Sequence, residues 1–143
     1  MTPVADEDIN WTVFGEARSA LGESFVRILG YFREDGTKSV AAIETAMRER
    51  NSANLVLPAH TLKGEGYQFG AEKLAELAEE IEIAARHYVE IRQDPQDLLE
   101  KIVQLRPLFE RTLSALEREV SPLVERRAPM GSRTFGAAQA SRF

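Results

Sequence analysis

His60 and Lys63 stand three residues apart in the stretch AHTLKGEGYQFGA, residues 59–71, and together they could hold a phosphoryl group. The apolar spacing predicts a helix here. At about 100° per residue, Leu55, Ala59, Leu62, Gly66 and Phe69 fall together as its buried stripe. His60 lies roughly 140° from the centre of that stripe and so faces water. Imidazole in its neutral form is a competent nucleophile. Lys63, one turn along, would set an ammonium beside any anion attached to the ring. Phosphate on a ring nitrogen fits that pairing.

Two glycines inside the same predicted helix call for a reason, because each costs about 0.5–1 kcal/mol relative to alanine. Gly66 falls on the core stripe, where a missing side chain lets a neighbouring helix come close. Gly64 falls on the water side one turn beyond His60, where any side chain would crowd whatever approached the imidazole. Val56, Lys63, Gly64 and Tyr67 share the His60 strip, with Leu57 and Gln68 on one flank. Exposed apolar groups placed together mark interfaces. Val56, Leu57 and Tyr67 are therefore read as docking residues for a partner macromolecule, and Gly64 as the space that gives it access. Glu65 projects about 140° from His60, a poor position for a base or metal ligand, and no acidic cluster is expected at that ring.

The elements that must position these residues are helical, since apolar residues between 10 and 127 recur at three and four rather than two. A short helix is expected from Asn10, as N-cap, through Trp11 and Phe14 to Leu21, where Gly22 interrupts. Trp11 and Phe14 read as a lid over one end of the fold. A second helix carries Phe25, Leu29 and Phe32 and is expected to stop near Gly36. A third carries Val40, Ile43 and Met47. The His60 helix is expected from about Asn54 to Phe69, with Pro58 in its first turn, where amides lack partners anyway. After Gly70 comes a helix with Leu74, Leu77, Ala78, Ile81, Ala85 and Tyr88 on one face, opposite which His87 reads as ordinary surface. Asp94 and Pro95 signal the start of the last helix, whose stripe runs from Leu98 through Ile102, Leu105, Phe109, Leu113 and Leu116 to Val120. Pro107 is expected to kink it near Val103. Short connections favour antiparallel neighbours. The expected fold is all-α, an antiparallel up-and-down four-helix bundle over residues 1–127. One or two short N-terminal helices are added, and a disordered tail over 128–143.

Composition narrows the class. With 43% hydrophobic and 29% charged residues, the chain can bury one core and stay in solution. It has no cysteine, which excludes a disulfide framework and thiolate metal sites and makes the cytoplasm the default expectation. A formal net charge of -5 is the wrong sign for a general nucleic-acid binder. No apolar run is long enough to span a membrane. A monomer is expected, although the long C-terminal stripe leaves room for a dimer.

The segment HTLKGEGYQFG resembles the signature of histidine phosphotransfer (HPt) domains, in which the phosphorylatable His is followed by Lys at the third position, Gly at the fourth and Gly at the tenth. His60, Lys63, Gly64 and Gly70 occupy those places, and Leu74, Leu77, Ala78 and Ile81 look like the family's next helix. The resemblance implies a helical bundle that takes phosphoryl on His60 from the aspartyl phosphate of one receiver domain and delivers it to another. The implied partners are the receivers of a hybrid histidine kinase and of a response regulator. Transfer needs in-line positioning and charge neutralisation, usually with a divalent metal. No cofactor is expected on this chain, and magnesium is expected from the receiver. Lys63 is expected to be the main stabiliser of the phosphoryl group on this side, with Gln68 adding a hydrogen bond where the family often has Asn. Glu65 and Tyr67 depart from the small residues common at their positions, which bears on partner preference. The alternative is an adaptor that binds receivers or other signalling proteins without being phosphorylated. A bundle metalloenzyme wants a Glu-x-x-His pair, and neither histidine has Glu three residues before it. No independent kinase or hydrolase activity is expected, and no glycine-rich nucleotide loop is visible.

Overall fold

Apolar residues spaced at three and four fold into five α-helices in a computed structural model that describes residues 8–120. They are α1 (Trp11–Leu21), α2 (Phe25–Arg48), α3 (Ser52–Gln68), α4 (Glu72–Glu90) and α5 (Leu99–Val120), with 3-10 turns at Gly22–Ser24 and Gln96–Leu98. No strand occurs among the described residues. The chain divides into two compact units, residues 1–112 and 113–143. Of the second, only the end of α5 is described, and the expected tail at 128–143 lies outside the described residues. In the first unit α3 packs between α2 and α4. The first part of α5 closes the ring: Arg106 donates to both oxygens of Glu44 on α2 at 2.9 and 2.8 Å, and Lys101 donates to Glu80 on α4 at 3.1 Å. The antiparallel four-helix bundle with one short N-terminal helix is the architecture expected. No helix among the described residues is long and apolar enough to cross a membrane.

Three boundaries differ from expectation. The two helices expected on either side of Gly36 are one, the 24-residue α2. Gly36 is buried, and a Cβ there would lie 2.5 Å from Cε1 of Phe109. It is a notch that admits an aromatic ring, not a stop. The His60 helix begins earlier than expected: Asn51 accepts the amide of Asn54 at 3.0 Å and caps α3 at Ser52. Pro58 therefore sits inside the helix, one turn later than the sequence suggested, and leaves the carbonyl of Asn54 without its usual donor. Asp94 accepts the amide of Gln96 at 3.1 Å at the entry to a short 3-10 turn, and α5 itself starts only at Leu99. α5 then continues through Pro107.

The end of α3 is fixed by the N-terminus. Gly70 has φ +79°, a left-handed conformation that glycine adopts at little cost. Its carbonyl accepts the amide of Asn10 at 2.7 Å, and a Cβ on Gly70 would collide with the Asn10 carbonyl oxygen. Trp11 and Phe14 lie over this end as expected. They begin a run of ring contacts through Phe25, Phe69 and Phe32 to Phe109, with centroids 5.1–5.8 Å apart. The last glycine of the motif thus belongs to the scaffold.

Candidate functional site

α3 buries Leu55, Ala59, Leu62 and Gly66, with Phe69 just past its end, and turns His60 outward. The His60 side chain is 55% exposed, yet it is not free. Its Nδ1 lies 3.0 Å from Oε2 of Glu82 on α4, a residue only 4% exposed. The same carboxylate holds two cations. Nζ of Lys63 stands 2.9 Å from Oε1, while Nε and Nη2 of Arg86 donate to Oε2 at 3.1 and 2.8 Å. α4 comes this close because Gly66 faces Ala75, whose Cβ would be 3.1 Å from a Cβ on the glycine. Ala75, Ala78 and Ala85 are all fully buried along α4 and help keep the two helices near. Gly66 is thus a packing residue, as its place on the core stripe indicates.

A buried carboxylate is costly unless paired. Burial pushes the Glu82 carboxyl up, but the bonds from Lys63, Arg86 and His60 outweigh it and hold the carboxyl at about 2. Glu82 is therefore ionised near neutrality and can only accept hydrogen bonds. The proton between it and the ring must then sit on Nδ1, which donates. In the neutral tautomer that this bond selects, Nε2 carries the lone pair, on a ring whose side chain is more than half open to water. This arrangement can hold one imidazole tautomer, stabilise a positive charge developing on that ring, and set two cations beside an incoming anion.

The other expected site residues fall into two groups. Gly64 has no atom within 4 Å of where its side chain would begin, so the space beside His60 is open. Leu57 is 71% exposed, Tyr67 is 40% exposed, and Val56 is half-buried. Tyr67 donates its hydroxyl to Oε1 of Glu79 on α4 at 3.1 Å. Gln68, the last residue of α3, is exposed about 12 Å further along the axis and is not brought to His60. Lys63 is not a free charge but is drawn against Glu82. No acidic cluster was expected at His60; what the sequence reading did not anticipate is that a single carboxylate from α4, Glu82, bonds to it directly. Glu65 does point elsewhere, and burial, reinforced by the charge of Asp35 on α2, raises its carboxyl to about 7. His87 is exposed beside Tyr88, as ordinary surface.

Glu82 and Arg86 were missed because they come from the next helix. A signal was present. Glu82 falls at the edge of the stripe formed by Ala78, Ile81 and Ala85, where an acid needs partners, and Arg86 follows it by one turn.

Comparison with known proteins bears on the fold and the family. The structure resembles histidine-containing phosphotransfer protein B from Pseudomonas aeruginosa PAO1, with a TM-score of 0.70 and 19% identity over 80% of this chain and 96% of that one. It also resembles the HPT domain of the Hpt sensor hybrid histidine kinase from Shewanella, with a TM-score of 0.65 and 19% identity over 81% of this chain and 96% of that one. At that identity the likeness speaks for the fold. Among curated proteins no similar sequence is found. The family model for the Hpt domain matches residues 27–120, a span that includes His60, Lys63, Glu82 and Arg86. With that match over most of its length, the chain belongs to the Hpt domain family and has a histidine phosphotransfer role in phosphorelays.

Proposed function

We propose that this chain accepts a phosphoryl group on Nε2 of His60 from the aspartyl phosphate of one receiver domain and passes it to the aspartate of another. The observation that carries this reading is the 3.0 Å bond from Nδ1 of His60 to the buried Glu82 carboxylate, on a ring whose remaining nitrogen is open to a partner. With Nδ1 committed as a donor, the lone pair of Nε2 attacks phosphorus in line. The bond from phosphorus to the aspartyl oxygen breaks, and aspartate leaves as a carboxylate. The product ring carries both the N–P bond and the Nδ1 proton, and its positive charge faces Glu82. In the second half-reaction another receiver's carboxylate attacks the same phosphorus, and the electron pair of the N–P bond returns to Nε2. Glu82 orients and stabilises throughout without taking the proton.

Lys63 and Arg86, anchored on Glu82, reduce the electrostatic cost of bringing the phosphoryl oxygens to this surface. Magnesium belongs to the receiver in this scheme, because the carboxylate nearest His60 is already engaged by three donors. The test is to incubate the protein with radiolabelled, phosphorylated receiver domains and magnesium, alongside His60→Gln. Acid-labile label on the wild type and none on the variant is the expected result. Equal labelling of both, or no labelling of the wild type across a broad panel of receivers, would contradict the reading.

A further inference from the structure

The exposed strip of α3 beyond His60 is uneven in shape. Gly64 leaves it empty, and one turn later Tyr67 fills it. The bond to Glu79 leans Tyr67 toward α4 and restricts its rotation. Its surroundings are acidic. Burial, then Glu79, Glu76 and Glu72, hold the hydroxyl above its ordinary pKa, so it stays a neutral donor. Further along α4 the charge reverses at Arg86, whose side chain is 59% exposed. A partner seated over His60 therefore meets an open lane that ends in an aromatic wall with carboxylates beside it.

We infer that Tyr67, held by Glu79, is a specificity determinant of the transfer reaction, favouring receiver domains that are open opposite the ring and carry lysine or arginine opposite Glu79 and Glu76. The inference rests on the reading of His60 as phosphoryl carrier. Its physical basis is the short reach of the chemistry: reacting atoms must approach to about 3–3.5 Å, so a side chain stopped by Tyr67 need lift the receiver only slightly to prevent transfer. Acidic residues opposite Glu79 add like-charge repulsion, whereas basic ones speed encounter and fix orientation.

The probe is a panel of purified receiver domains charged with acetyl phosphate, some basic and open around the phosphoaspartate and others acidic or crowded. Transfer kcat/KM is measured for the wild type, Tyr67→Ala, Tyr67→Phe and Glu79→Lys. The wild type should favour basic, open receivers by about tenfold or more. Tyr67→Ala should raise transfer from crowded receivers and narrow the range. Tyr67→Phe, which keeps the wall and loses the bond, should fall between. Glu79→Lys should shift preference toward acidic receivers, more so at low salt. Both positions are on the surface, and an unchanged thermal midpoint will show that the variants fold. A purely structural role would not reorder partners. If Tyr67→Ala and Glu79→Lys leave every ratio across the panel within about twofold of wild type, the inference is overturned while His60 as carrier stands. If the wild type takes no His60-dependent label from any receiver, the underlying reading falls with it.

Discussion

In the proposed reaction Glu82 decides which nitrogen of His60 attacks, so its removal should affect the chemistry more than docking. Glu82→Gln keeps the shape but substitutes a neutral amide for the charge that faces the developing imidazolium. Transfer kcat should fall by about 10²-fold with KM little changed, measured with a receiver that labels the wild type. Gly64 makes the opposite kind of prediction. Because nothing surrounds it, Gly64→Ala should stabilise the bundle by about 0.5–1 kcal/mol in urea unfolding while lowering kcat/KM for transfer. A larger residue at this position should weaken receiver docking with helix content nearly unchanged. His60, Lys63 and Gly64 were legible in the sequence because one helical period relates them. Glu82 was not, because its relation to His60 spans 22 residues and two helices and depends on how α3 and α4 are set against each other.

The helices themselves were read well where apolar spacing was unbroken and less well where glycine or proline was taken as punctuation. Phe25, Leu29, Phe32, Gly36, Val40, Ile43 and Met47 are buried in one continuous register, which a break at Gly36 concealed. A glycine ends a helix when the backbone needs positive φ, as at Gly70, and permits close packing when it does not, as at Gly36 and Gly66. Local sequence does not distinguish the cases, because the deciding atoms, Phe109 and Ala75, belong to other helices. Gly36→Ala is accordingly predicted to destabilise the bundle by about 1–3 kcal/mol, despite alanine's better helix propensity, because a packed ring must move. Chemical denaturation at neutral pH checks this, and a stabilised variant would mean the notch is not filled by Phe109.

Across the bundle, two carboxyls make stability respond to pH in opposite directions. Glu82 is lowered from 4.5 to about 2, so its contribution is complete above pH 4.5 and is lost as pH falls toward 2. Glu65 is raised from 4.5 to about 7, so its contribution is complete below pH 4.5 and is lost as pH rises through 7. Each effect is on the order of 2 kcal/mol after allowance for solvent screening. Through Glu65 stability should decline between about pH 4.5 and 7, a decline that Glu65→Gln should reduce in urea titrations. The proposed transfer requires Glu82 ionised at the pH of reaction and the proton of His60 held at Nδ1. The most direct measurement is therefore 15N NMR of histidine-labelled protein, before and after phosphorylation by a charged receiver with magnesium. The expected result is a proton on Nδ1 of His60 throughout and phosphorus coupled to Nε2 of that residue alone. Phosphorus on Nδ1, or on His87 with His60 unmodified, would contradict it.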